Sequence, residues 1–94
     1  MSNRTIVAGY IKDALNEHYL RGDAAVSREA LRRTVSQRLP AHILRAPQTQ
    51  TRATFSTAFG ETLRRMDRDG LIRRDGDRLH ILGDPLSRPW LEDA

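Results

Sequence analysis

None of the 94 residues is cysteine, so disulfides, Cys-ligated zinc and thiol chemistry are excluded together. Long apolar runs are missing as well. No stretch approaches the ~18 apolar residues of a membrane span, and "MSNRTIVAGYIKDAL" lacks the apolar core of a secretory signal. A cytoplasmic location is the resulting expectation. Aromatic residues make up only 5% of the chain, which leaves few side chains to stack on single-stranded bases. Lysine is nearly absent: Lys12 is the single lysine in a total of 16 Lys and Arg. Acidic residues are absent from Ala30 to Gly60, a span that holds Arg32, Arg33, Arg38, Arg45 and Arg52 beside Gln37, Gln48 and Gln50.

What remains suits one small domain with a modest core. The net charge of +4 is unevenly placed. From Arg28 to Arg78 there are twelve Arg against six acidic residues, a net of +6; the rest has four basic against six acidic, a net of −2. A basic, amide-rich central span is the composition of a polyanion-facing surface. Catalysis is not expected. His18, His42 and His80 fall on separate elements without metal-ligand spacing, and no Gly-rich phosphate loop occurs. The pairs Asp67/Asp69 and Asp75/Asp77 read as helix-end and turn chemistry. Neither a cofactor nor a metal is expected.

Three amphipathic helices are predicted. The first runs from about Arg4 to Leu20, with Val7, Tyr10, Ile11, Ala14, Leu15 and His18 at helical spacing and Gly22 as its left-handed stop. The second lies in "AVSREALRRTVSQRLP". Ser27 is its N-cap, Val26 and Leu31 form a hydrophobic staple, Leu31, Val35 and Leu39 make the buried stripe, and Pro40 closes it. Residues 40–53 form a connector in which Ile43 and Leu44 anchor one helical turn. The third helix spans about Thr54 to Asp69. Phe55, Phe59, Leu63 and Met66 line its core face, and Gly70 ends it. Its outward face carries Thr57, Glu61, Arg64 and Arg68, with Glu61 expected to pair with Arg65 one turn on. Gly60, costly inside a helix, joins Ala53 and Ser56 in a small-residue stripe that suggests close packing against the second helix.

After Gly70 the apolar period changes from helix to strand. "LIRRDGDRLHIL" reads as a hairpin about an Asp75-Gly76 type I′ turn, which sets Arg74 opposite Asp77, Arg73 opposite Arg78 and Ile72 opposite Leu79. Ile72, Leu79 and Ile81 then face the core. Arg73, Arg78 and His80 take the other face with Leu71.

This order of elements, and above all the junction "DRDGLIRRDGDRLHIL", resembles the winged helix-turn-helix family of bacterial transcriptional regulators. The expected fold is mainly α with a small β-hairpin, three main helices plus a wing. The resemblance covers about residues 6–82, within a winged-helix domain at 1–84 and a proline-containing tail at 85–94. Fourteen residues separate Leu39 from Thr54, against the three or four that usually join helix-turn-helix units. The resemblance implies that helix 54–69 enters the major groove of double-stranded DNA and that hairpin 71–82 is the wing, in a small, nucleoid-associated transcriptional regulator acting as a homodimer.

The residues suit such tasks in their own right. Arg64 and Arg68 are candidate contacts to guanine edges or phosphates, and Thr54 and Thr57 sit where a helix N-terminus holds a phosphate. Arg73, Arg74 and Arg78 are candidate wing contacts; Arg28, Arg32, Gln50 and Arg52 extend the footprint. The alternative is a winged-helix protein-interaction module, suggested by the mixed charge of the hairpin and by Trp90 in the tail.

Overall fold

In the computed structural model, which describes residues 2–49 and 53–86, each of the three long helices starts on a hydroxyl cap. Ser2 accepts from the Thr5 N–H ahead of α1 (Asn3–Leu20), Ser27 from the Ala30 N–H ahead of α2 (Arg28–Arg38), and Thr54 from the Thr57 N–H ahead of α4 (Phe55–Arg68). Each cap satisfies one of the amide groups that a helix start leaves unpaired. Between α2 and α4, Ala41–Leu44 form the single turn α3, with Ile43 buried as its anchor.

Two helices stop in the same way. Gly22, at φ +83°, follows α1, with the Gly22 N–H bonded to the Tyr19 carbonyl and the Asp23 N–H to the His18 carbonyl. Gly70, at φ +79°, follows α4, with the Gly70 N–H bonded to Asp67 and the Leu71 N–H to Met66. Both are Schellman stops, in which a residue without a Cβ takes the left-handed position. The second stop also explains the burial of Leu71, which alternation alone put on the solvent side: it is the apolar residue that folds back over Met66.

The core lies where α1 packs on both α2 and α4. Val7, Ile11 and Leu15 of α1, Leu31 and Val35 of α2, and Phe59, Leu63 and Met66 of α4 are almost wholly buried. Ile72 and Leu79 close the core from below, with Ile81 half-buried beside them.

The sheet differs from expectation in two respects. It has three strands, not two: Ala25–Ser27 form β1, and the order is β1-β3-β2 with β2 at Ile72–Asp75 and β3 at Arg78–Ile81. Val26 pairs with Leu79 in the antiparallel β1–β3 ladder, so the residue expected as a helix staple is also a strand residue. The hairpin register also moves. Asp75 pairs with Arg78, Arg74 with Leu79, Arg73 with His80 and Ile72 with Ile81, so the two-residue loop is Gly76-Asp77. Gly76 has φ +57°, and among the described residues none other than glycine has positive φ, which gives the turn the φ signs of type II′ and excludes type I′. The partners shift by two residues, so each side chain keeps its face, and Ile72, Leu79 and Ile81 point to the core as the alternation required.

Within the small-residue stripe, Ser56 meets Arg32 of α2, whereas Gly60 does not. A Cβ built on Gly60 would meet only the Arg64 guanidinium, at 3.5 Å, so the glycine does not serve a close helix approach.

Candidate nucleic-acid interface

The outward face of α4 follows from its buried one. With Phe55, Phe59, Leu63 and Met66 turned inward, the 100° step per residue turns Thr57, Glu61, Arg64 and Arg68 outward. Arg64 and Arg68 are exposed, and Thr57 and Glu61 half-buried at its flank. Among the described residues, Arg64 has no ion-pair or hydrogen-bonding partner. Arg68 lies 3.5 Å from Asp69, and its side chain remains 72% exposed.

Glu61 is paired, but with Arg4 of α1 rather than with Arg65: the Arg4 Nε–H donates to its carboxylate at 2.7 Å. The packing of α1 on α4 places the N-terminal turn of α1 at this flank and supplies a cation from outside the helix. One acidic group on the face is thereby answered locally.

Two aspartates, Asp67 of α4 and Asp77 of the turn, fasten the hairpin to two helices. Asp67, near the end of α4, accepts from Arg74 of β2 at 2.8 Å. Asp77, in the turn, accepts from the Ser27 hydroxyl at 2.6 Å and from the Glu29 N–H at 3.2 Å, while its carbonyl accepts from the Arg28 N–H at 2.6 Å. The Ser27 hydrogen bond is the main cause that holds the Asp77 carboxyl below its ordinary value of 3.8; the Glu29 N–H and the charges of Arg28 and Arg78 add to it. Asp75 lies 3.9 Å from His80 across the hairpin. Arg73 and Arg78 stay exposed, and Ser27, Asp75, Asp77 and Arg78 border an open polar depression of about 400 Å³.

Arg28 and Arg32 are half-buried on α2, and both lie over aromatic rings of α4. The Arg28 guanidinium sits 5.2 Å from the Phe59 ring centre and that of Arg32 5.5 Å from Phe55. Arg32 also donates to the Ser56 hydroxyl at 2.8 Å. At the start of α4, the Thr54 hydroxyl accepts from the Thr57 N–H and donates to the Thr57 hydroxyl at 3.0 Å. Gln50, Arg52 and Trp90 lie outside the described residues.

The structure thus brings Thr57, Arg64 and Arg68 onto one face and joins the hairpin to the C-terminal end of the same helix. Asp77 occupies the turn as expected, but its side chain serves α2 as well. As a turn residue it looked local, and only the Ser-x-x start of α2, fifty positions away, reveals its partner. Among the described residues, no helix is long and apolar enough to cross a membrane, and no group of three or more His, Asp or Glu is placed to hold a metal ion. The domain is a small, mainly helical unit with a minor antiparallel sheet. No protein-family model, curated protein or solved structure matches it.

Proposed function

We propose that this domain is a winged helix-turn-helix module that binds double-stranded DNA as a small transcriptional regulator, with α4 in the major groove and the β2–β3 hairpin as the wing. The element order supports the fold part of this reading: helix, strand, helix, short helix, helix, then a two-stranded hairpin whose second strand pairs with the first strand. The observation that carries the function is the outward face of α4. Arg64 and Arg68 stand one turn apart and exposed; of the two acidic residues beside them, Glu61 is paired with Arg4, and Asp69 lies 3.5 Å from Arg68, whose side chain stays 72% exposed.

Each residue takes a role that its placement suits. Arg64 reaches a base edge, where a guanidinium donates in parallel to guanine O6 and N7. Arg68, at the helix end, contacts a phosphate or a second base. Thr57 and the first free N–H groups of α4 hold a phosphate at the helix start, with Thr54 as their cap. Arg73 and Arg78 are wing contacts, and Arg74 joins them while paired to Asp67. Gln50 and Arg52 belong to the same footprint. A homodimer reading a two-fold site is part of the proposal; Tyr19 and Leu20, 42% and 74% exposed at the end of α1, are its candidate contact.

The competing reading, a protein-docking module, rests on the mixed charge of the hairpin and on Trp90, which lies outside the described residues. Asp67 and Asp77 are both engaged within the fold, so they are not a free acidic surface for a partner.

Binding to a pool of random duplexes, followed by anisotropy against salt, tests the proposal. Affinity is expected to fall linearly on a log–log scale as counterions are released. Arg64→Ala should cost about 1–3 kcal/mol on the selected duplex and relax its preference at one position. Arg68→Ala should weaken all duplexes alike where Arg68 holds a phosphate, and relax the preference at a second position where it holds a base. Absence of binding at low salt, with a protein partner retained after nuclease treatment, would turn the assignment to the docking module. Sedimentation showing only monomer at high concentration would remove the dimer.

A further inference from the structure

Fourteen residues separate the end of α2's buried stripe at Leu39 from Thr54, so the chain itself does not set how α4 lies against α2. A three- or four-residue turn constrains two helices by its own geometry; a long connector does not. The orientation must come from tertiary contacts. α1 supplies the apolar part by packing on both helices. The polar part is a matched ladder. Arg28 and Arg32 are one turn apart on α2, Phe55 and Phe59 one turn apart on α4, and the earlier arginine meets the later ring.

We infer that Arg28 and Arg32 are positioning residues: their guanidinium groups lie over the rings of Phe59 and Phe55 and set the angle at which α4 is presented. The geometry asks for arginine in particular. A planar guanidinium covers a ring with its face while its edge N–H groups point sideways, and Arg32 uses that edge to donate to Ser56 at 2.8 Å. An ammonium group is a compact, strongly hydrated point charge and does not do both. Arg28 carries the constraint one step further. Its backbone N–H donates to the Asp77 carbonyl at 2.6 Å while its side chain lies over Phe59, so one residue joins the hairpin turn, α2 and α4. Both rings are buried, 6% exposed for Phe55 and 0% for Phe59, which makes them fixed platforms. Arg28 and Arg32 are thereby engaged within the fold, and among the described residues the DNA-facing charge of the proposal falls to Arg64, Arg68 and the hairpin.

The test separates position from charge. Arg32→Lys keeps the charge and Arg32→Met the stem; both are expected to lower the unfolding midpoint of the free protein by about 4–8 °C. Arg33→Met, exposed one residue on, serves as the control and should leave the midpoint in place. In proton NMR of the parent, the Arg32 side-chain protons should be shifted upfield by the Phe55 ring, and Phe55→Leu should remove that shift. These two measurements do not depend on DNA. A third does, and rests on the function proposed above: at a temperature where every variant is folded, both Arg32 variants should lose affinity for the selected duplex while keeping the parent's salt slope. A lysine variant as stable as the parent, or no upfield shift, would overturn the inference. So would a methionine variant of unchanged midpoint whose salt slope falls by about 0.9, the mark of a lost phosphate contact. Failure of the parent to bind any duplex would sink the DNA reading alone, because the midpoint and the ring shift would still report on the ladder.

Discussion

The hydroxyl of Ser27 donates to the Asp77 carboxylate at 2.6 Å while accepting the Ala30 N–H at 3.2 Å. One oxygen therefore starts α2 and anchors the hairpin turn. Ser27→Ala removes both functions at once, and the expected loss is about 1–2 kcal/mol, toward the upper end for a cap substitution. Urea unfolding measures it. Ser2→Ala, which removes a cap serving α1 alone, provides the comparison, and equal losses would argue against the double role.

Asp77 also makes stability depend on acid. Its folded carboxyl is held below the ordinary value of 3.8, first by the Ser27 hydroxyl, so the folded state binds fewer protons than the unfolded one. The stabilisation is present above that ordinary value and is lost as pH falls through the folded one. Asp77→Asn should therefore flatten the fall in stability between about pH 5 and pH 2. The fall should persist in part, because Glu17, held down by Arg38, and Asp23, held down by His18, shift in the same direction. Denaturant midpoints at a series of pH values would show the difference, and parallel curves would leave Asp77 without the linkage.

Two glycines should respond in opposite directions to the same substitution. Gly70 sits at φ +79° in the stop of α4, where a Cβ is strained, and Gly70→Ala should destabilise by about 1 kcal/mol. Gly60 is inside the helix with only the Arg64 guanidinium at 3.5 Å, an ordinary contact, and Gly60→Ala should stabilise by about 0.5–1 kcal/mol. Thermal unfolding of the two variants decides both signs. A destabilised Gly60→Ala would mean that the Arg64 side chain cannot yield.

Phe59 is 0% exposed and lies between the core and the Arg28 guanidinium. Phe59→Ala should cost about 3–5 kcal/mol, a large part of the roughly 5–15 kcal/mol that holds a domain of this kind together. Circular dichroism is expected to show a broad or absent transition at 37 °C. A sharp melt near the parent's would mean that the cavity is filled by rearrangement.

The three long helices were legible because their signals are local. Ser27 caps an amide three residues on, Gly22 and Gly70 stop helices within one turn, and Phe55, Phe59, Leu63 and Met66 share a face through a fixed rotation. The hairpin was legible in its faces and not in its register: "RRDGDR" offers Gly76 at either central position of a two-residue turn, and alternation is satisfied by both. The strand at Ala25–Ser27 was hidden because three residues carry too little alternation to stand out, and Ser27 announced a helix more strongly. Of the candidate site, Arg64 and Arg68 followed from the helical rotation of α4. The partners of Glu61 and Asp77 did not, since Arg4 and Ser27 lie 57 and 50 positions away.

The sequence by itself determined where helices begin and end, which side of each is apolar, and that positive charge gathers between Arg28 and Arg78, because each of these depends on neighbours within about one helical turn or on composition. Tertiary structure alone decided that β3 becomes the central strand and that α1 neutralises Glu61. It also decided that Arg28 and Arg32 lie on the rings of α4 and that Asp77 closes the start of α2. Those outcomes depend on elements meeting after the chain has folded around Val7, Leu31, Phe59 and Leu79, and burial at that meeting point is insensitive to the identity of the polar groups it brings together.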